Sequence, residues 1–394
     1  MMQAVVLNGI RNITIEPIEE PALRAPTDVL LRLTSTAICG TDLHMYEGRL
    51  GGGERLVIGH EPLGVVERVG DAVVNVRVGD RVTVPTHICC GFCANCVHGY
   101  SAQCLTNNPG KAGAAYGYPG MGGYTGAQTE LLRVPFGDAN CLKLPGEPGD
   151  QFEHDFVLLA DALPTAFHAT QMVDIRTSDI VVIYGAGAIG LLTAMCAFVR
   201  GAAQVFVVDA IPERLDKAGE LGAVPIDMSK GHAADRILEQ IARERTGVAW
   251  RGEEANLGAT VCVDAIGFQA RDPKDYAVEH PTTVIDDLAR IVAPKGRLSI
   301  IGVFLDSDPL AHGNEARRGD YVIPWGTLFK KGVTIGMGRD DDENYNDHLR
   351  DMIVAGRMKP SKIVSHRLPL SDAADAFAKF DARTDGYIKV VLEP

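Results

Sequence analysis

Ile180-Val181-Val182-Ile183-Tyr184-Gly185-Ala186-Gly187-Ala188-Ile189-Gly190 decides the fold. A five-residue apolar run rich in β-branched side chains predicts a buried strand, and the residues after it predict a glycine turn and a helix to about Arg200. A lone GxGxxG is weak, but here it stands in strand–turn–helix context. In that context Gly185 permits the tight turn, Gly187 lets backbone approach a pyrophosphate, and Gly190 permits close helix–strand packing. The first-turn amides, around Ile189, then face phosphate. Gly185, Gly187, Ile189 and Gly190 are therefore candidate dinucleotide contacts.

Downstream the alternation continues. A second apolar run, 204–208, ends at Asp209, nineteen residues beyond Gly190. A carboxylate there can accept hydrogen bonds from ribose hydroxyls and repels a 2′-phosphate, which favours NAD. The stretch 212–221 has proline just inside its start and Gly222 just past its end, as a helix should. Helix-like 233–245, strand-like 260–263, helix-like 284–292 and strand-like 297–301 complete a pattern that predicts a doubly wound parallel sheet. Upstream the texture differs: 4–7, 29–33, 63–69 and 81–84 read as short strands between Gly, Pro and Asp turns. Segments 105–128, 272–281 and 305–320 read as loops, either lids and binding loops or surface decoration.

The whole sequence has 394 residues, 46% of them hydrophobic, and a formal charge of −13. That is ample material for two domains. The acidic balance, without a basic cluster, argues against nucleic acid or an anionic membrane as partner. The longest apolar stretch, 186–199, is too short to span a bilayer. Residues 1–12 carry no charged segment leading into an apolar one, so no export signal is expected.

Nine cysteines are present, and four of them, Cys90, Cys93, Cys96 and Cys104, follow C-x2-C-x2-C-x7-C. In a chain this large the spacing reads as metal binding in a reducing, cytoplasmic compartment. Four thiolates so spaced can wrap one tetrahedral zinc; an iron–sulfur cluster is the alternative. Such a closed site is structural, because zinc there has no position left for a substrate. Cys89 precedes the lobe and is not counted as a ligand. Cys141, Cys196 and Cys262 lie in apolar surroundings and read as core.

Cys39-Gly40-Thr41-Asp42, the string G-H-E-x2-G-x5-G-x2-V from Gly59 to Val73, Val78-Gly79-Asp80-Arg81-Val82 and the cysteine lobe occur in the order and spacing of a known family. The chain resembles the zinc-containing medium-chain alcohol dehydrogenases over nearly its whole length. It is most similar to their glutathione-independent formaldehyde dehydrogenase branch, through Ala160-Asp161-Ala162-Leu163-Pro164-Thr165-Ala166-Phe167-His168 and Val263-Asp264-Ala265-Ile266-Gly267-Phe268-Gln269-Ala270-Arg271. The ending Gly386-Tyr387-Ile388-Lys389-Val390-Val391-Leu392 looks more like the general zinc alcohol dehydrogenases of this branch.

The resemblance implies a GroES-like, mostly β catalytic domain over 1–167 and 339–394, with a Rossmann domain over 168–338. It implies a catalytic zinc on Cys39 and His60, with Asp161 where many relatives carry cysteine, and hence two zinc ions per chain. One thiolate, one carboxylate and a neutral imidazole balance Zn²⁺ as two thiolates and an imidazole would. Glu61 is implied behind the metal, and Thr41 and His44 as the route by which an alcohol proton leaves. Gly40, Thr41, His44, Arg214, Val263, Gly302, Met337 and Lys389 are implied cofactor contacts. Arg214 leaves NADP as the alternative to NAD. The expected reaction moves hydride between a small alcohol or hydrated aldehyde and NAD, in a homo-oligomer (dimer or tetramer). Rival readings are an aldehyde dismutase that keeps its NAD, and a zinc-free regulatory protein on the same fold. Cys39, His60 and Asp161 together speak against the latter.

Overall fold

The computed structural model describes residues 1–51, 55–244, 257–272, 275 and 277–394. The chain forms two compact units: Met1–Pro164 with Asp340–Pro394, and Thr165–Arg339. The first division falls before the expected 167, because a helix, Ala162–Gln171, runs unbroken through it and leaves no compositional mark.

The first unit opens with β1 (Met2–Leu7), β2 (Ile13–Ile18), β3 (Val29–Ile38), β4 (Leu56–Val57), β5 (Pro62–Val69), β6 (Arg81–Thr83), β7 (Leu131–Val134) and β8 (Leu142–Lys143). The second unit holds β9 (Ile180–Tyr184), β10 (Gln204–Asp209), β11 (Val224–Asp227), β12 (Ala259–Asp264), β13 (Val292–Ile300) and β14 (Thr334–Met337). The chain then returns to the first unit with β15 (His366–Pro369) and β16 (Val390–Glu393).

The second unit is one parallel sheet in the order β11-β10-β9-β12-β13-β14. Every residue of β9 is buried, as a central parallel strand with helices on both faces requires. Strand order reverses between β9 and β12, the switch point outside which such sheets bind ligands. The expected elements recur with shifted ends. The helix after β10 is Pro212–Glu220, stopped by Gly222 at φ +92°. The helix expected over 233–245 runs Ala233–Glu244, and Arg245 lies outside the described residues. The helix expected over 284–292 stops at Ile291 and β13 starts at once, before the expected 297, so Pro294-Lys295-Gly296 lies inside an irregular strand with Lys295 at φ +62°.

In the first unit β3 is the hub. It pairs antiparallel with β5, β7 and β16, and β15 extends the sheet beyond β16. A smaller sheet, β2-β1-β4, flanks it. The registers Val390↔Ile38 and Pro62↔Thr36 bring three strand ends together. They are the exit of β3 at Cys39, the entry of β5 after His60 and Glu61, and the entry of β16 after Lys389. Among the described residues no helix is long and apolar enough to cross a membrane.

Candidate metal centres and dinucleotide site

At this meeting of strand ends one donor atom from each of Cys39, His60, Glu61 and Asp161 lies within 4.8 Å of the others. Asp161 Oδ2 is 3.3 Å from Cys39 Sγ and 3.6 Å from His60 Nε2. A tetrahedral zinc with Zn–S of about 2.3 Å and Zn–N or Zn–O of about 2.1 Å needs ligand separations of about 3.4–3.6 Å. Asp161 is carried into place by the turn Val157–Ala160, which is tied down where the Thr86 amide donates to the Ala160 carbonyl at 2.9 Å.

Asp42, which the sequence reading did not assign, organises two of the donors. Its Oδ2 accepts from the Cys39 amide at 3.0 Å and from Gln128 Nε2 at 3.2 Å. Its Oδ1 lies 3.1 Å from His60 Nδ1, which turns Nε2 toward the cluster. A carboxylate behind a ligating histidine fixes both ring orientation and tautomer. Asp42 stands three residues after Cys39 and closes a capping box on the helix Gly40–Tyr46. That local signal is readable in sequence, but the contact with His60 is not.

Lys389 is buried, 1% exposed, and its Nζ donates to Glu61 Oε1 at 2.5 Å and to the Ile38 carbonyl at 3.2 Å. Lys389, an implied cofactor contact, thus anchors Glu61, whose other oxygen is buried without a hydrogen-bond partner. Burial and the Asp161 carboxylate push the Cys39 thiol up. Burial would raise Asp161 as well, but His60, Lys389 and Cys39 together hold its carboxyl well below the usual range. Anionic donors packed this closely, one oxygen still orphaned, fit a divalent cation. Thr41 Oγ1 is 3.6 Å from Cys39 Sγ, and His44, one turn on along the same helix, is buried.

The sulfurs of Cys90, Cys93, Cys96 and Cys104 converge separately. Cys96 Sγ is 3.4 Å from that of Cys93 and 3.9 Å from that of Cys90, and Cys93 Sγ is 4.0 Å from that of Cys104. A tetrahedral zinc with Zn–S of about 2.3 Å gives edges of about 3.8 Å. Local donors already face the sulfurs: the Cys93 amide and Thr106 Oγ1 on Cys90, each at 3.2 Å, and the Leu105 amide on Cys93 at 3.4 Å. Burial opposes ionisation of Cys93, but the Leu105 and Cys96 amides and the neighbouring Cys96 and Cys90 thiols outweigh it and bring the thiol down to about 6.

A third grouping, His87, Asp340 and Asp342, was not foreseen. His87 Nδ1 is 3.0 Å from Asp342 Oδ2, and Asp341 Oδ1 accepts from the Ala102 amide at 2.9 Å. The run 340–343 thereby straps the cysteine lobe to the unit.

In the second unit the three motif glycines have different reasons. Gly185 sits at φ +100°, and a Cβ on Gly190 would lie 1.8 Å from the Gly185 carbonyl oxygen. Gly187 has ordinary dihedrals (φ −70°, ψ −175°), and its Cβ would meet only Arg214 Nη1, at 4.0 Å. Among the described residues nothing demands glycine there, so the space suits an external group lying against backbone. Gly187 also caps the helix Ala188–Val199 without a side-chain hydrogen bond, leaving first-turn amides for an anion. Asp209 accepts from the Ala186 amide at 2.7 Å and from the Ile211 amide at 3.0 Å, and Arg214 Nη1 lies 4.0 Å from it. Ile189 is in the helix's first turn. Of the remaining expected contacts, Val263 is wholly buried in β12, Gly302 is held to glycine by Gly267, and Met337 is 67% exposed at the end of β14. Gly40, in the first unit, has nothing within 4 Å of its would-be Cβ.

The alcohol dehydrogenase GroES-like domain family model matches residues 25–146. The chain is 36% identical to a glutathione-independent formaldehyde dehydrogenase of Pseudomonas aeruginosa, covering 100% of this chain and 97% of that protein. It is 33% identical, over the full length of both, to an uncharacterized zinc-type alcohol dehydrogenase-like protein, AdhB, of Bacillus subtilis. Among solved structures, alcohol dehydrogenase TADH from Thermus sp. ATN1 superposes with a TM-score of 0.79 at 31% identity, covering 100% and 99% of the two chains. Full-length relatives above 30% identity, a matching domain model and the same architecture agree: this chain belongs to the zinc-containing medium-chain alcohol dehydrogenase family.

Proposed function

We propose that the chain is a zinc- and NAD-dependent dehydrogenase of small alcohols and hydrated aldehydes, formaldehyde above all. The observation that carries this reading is the approach of Asp161 Oδ2 to Cys39 Sγ at 3.3 Å and to His60 Nε2 at 3.6 Å, with all the donor atoms within 4.8 Å of one another. Cys39, His60 and Asp161 would hold the catalytic zinc, with Glu61 beside it, and the four lobe cysteines a structural one. The tight sulfur cluster favours a single ion, since a multi-iron cluster would interpose bridged irons and spread the thiolates. When bound, zinc supplies Lewis acidity toward the substrate oxygen and NAD the hydride acceptor.

The chain's own residues do the rest. Asp42 keeps the His60 ring turned, and Lys389 fixes Glu61. Thr41 accepts the hydroxyl proton and passes it toward His44. Overall, CH₂(OH)₂ and NAD⁺ give HCOOH, NADH and H⁺: the C–H bond breaks, its electron pair leaves as hydride, and one O–H proton is released. Gly185, Gly187, Ile189, Gly190, Asp209 and Arg214 hold the dinucleotide, with Asp209 favouring NAD over NADP.

Dimer or tetramer formation is supported by β14, an edge strand, and by Trp325 and Phe329, which are 62% and 83% exposed on the neighbouring helix Trp325–Lys331. The free state of all nine thiols suits a cytoplasmic setting.

The test is a panel of short alcohols and aldehydes with NAD and with NADP, following nucleotide and products together. NADH release with formate from formaldehyde, no added glutathione and a marked preference for NAD is the expected result. Equal formate and methanol from formaldehyde alone, with nucleotide retained, would replace this reading with a dismutase. Equal use of both nucleotides would remove the role given to Asp209.

A further inference from the structure

Tyr118 lies in the stretch 105–128, which the sequence marked as a loop without assigning its side chains. Its position is set by packing on both sides. Tyr118 rests against the apolar cluster that includes Met45, Tyr46 and Phe377. The preceding Gly117 sits at φ +70° with its would-be Cβ 2.8 Å from the Gly59 carbonyl, so the loop backbone is pressed against the residue before His60. The tyrosine ring stands 5.0 Å from the His60 ring, and Oη is 3.4 Å from His60 Nε2.

Nε2 is the nitrogen turned toward Cys39 and Asp161, since Nδ1 faces Asp42. Its single lone pair cannot both accept from a phenol and ligate a metal. When the metal takes it, the Tyr118 hydroxyl needs another acceptor close by. Thr41 Oγ1 lies beside a different ligand, 3.6 Å from Cys39 Sγ. Two hydroxyls therefore flank two different ligands, Thr41 by Cys39 and Tyr118 by His60. A primary alcohol brings one oxygen on the reacting carbon; a geminal diol brings two.

We propose that Tyr118 Oη donates a hydrogen bond to the second hydroxyl of a hydrated aldehyde, and thereby favours geminal diols over simple alcohols. The proposal rests on reading Cys39, His60 and Asp161 as the catalytic metal site.

The experiment compares zinc-loaded wild type with Tyr118→Phe. It measures kcat/KM for formaldehyde and for ethanol, zinc per chain, and the calorimetric affinity for formate, a two-oxygen ligand. The expected result is a loss of about tenfold for formaldehyde and for formate affinity, from one missing hydrogen bond. Ethanol should change less than about twofold on the same reasoning, with zinc content unaltered. Equal losses on both substrates, unchanged formaldehyde and formate values, or loss of zinc would each overturn the proposal. If wild type fails to oxidise formaldehyde, the substrate reading above falls, and the formate titration still decides the role of Tyr118.

Discussion

The four-cysteine lobe takes all its donors from one fifteen-residue stretch, whereas the mixed cluster draws Cys39, His60 with Glu61, and Asp161 from three separate parts of the first unit. The lobe's sulfurs are met by amides and a hydroxyl from their own neighbourhood. The mixed cluster depends on distant groups: Asp42 turns His60, Gln128 holds Asp42, and Lys389 holds Glu61. A metal in the first tightens a local fold. A metal in the second sits where strands already assembled for other reasons come to an end. One site should therefore answer to stability measurements and the other to chemistry.

Substitutions at the two sites should separate these roles. Cys39→Ala should lower turnover by about 10³-fold or more, since the metal's chemistry is lost, while the melting curve stays near that of wild type. Cys93→Ala should instead cost at least about 5 kcal/mol of stability, because a structural zinc contributes folding free energy outright. If Cys39→Ala unfolds the chain and Cys93→Ala leaves it stable, the two roles are reversed. Asp42→Ala should weaken metal binding at the mixed cluster by about ten- to a hundredfold and leave the lobe's affinity alone. A chelator titration that follows both ions will show whether they separate.

A further buried carboxylate lies outside both clusters. Asp264 is wholly buried at the end of β12, and its Oδ1 accepts from the Ile266 and Gly267 amides, each at 2.9 Å. Among the described residues no cation faces it as His60 and Lys389 face Asp161, and burial pushes its carboxyl up to about 6, against the pull of the two amides. The folded state thus holds a proton that the unfolded state has released between about pH 4 and pH 6. Stability contributed by this group is present below that window and lost as pH rises through it. Asp264→Asn should therefore stabilise the protein by on the order of 1–3 kcal/mol at pH 7, with the gain vanishing near pH 4. A gain that is the same at both pH values would assign it to packing and not to charge.

What the sequence made legible divides along the same line. The glycine motif, the cysteine spacing and the alternation of the second unit are local patterns. The structure places β9 at Ile180–Tyr184 and a helix from Pro212, where the sequence reading had them. The partners of the mixed cluster were not legible. Lys389 reaches Glu61 only through the register of β16 on β3, and Tyr118 reaches His60 only because Gly117 packs on Gly59. The acidic run 340–343 carried no periodicity to read, and its meaning, a strap on the cysteine lobe through Ala102 and His87, lies in contacts across more than two hundred residues. Gly187 went the other way. Its sequence pattern was plain, while its surroundings gain sense only from a ligand against the backbone.

We propose that one chain holds two zinc ions with different work to do. The most direct test is metal content by elemental analysis of wild type, Cys39→Ala and Cys93→Ala, each purified folded and assayed on the same day. Two zinc ions per chain are expected in wild type. One is expected in Cys39→Ala, folded and inactive, and a fall in both metal and thermal stability in Cys93→Ala. Fully active wild-type protein with a single zinc per chain, or an active Cys39→Ala, would contradict the proposal.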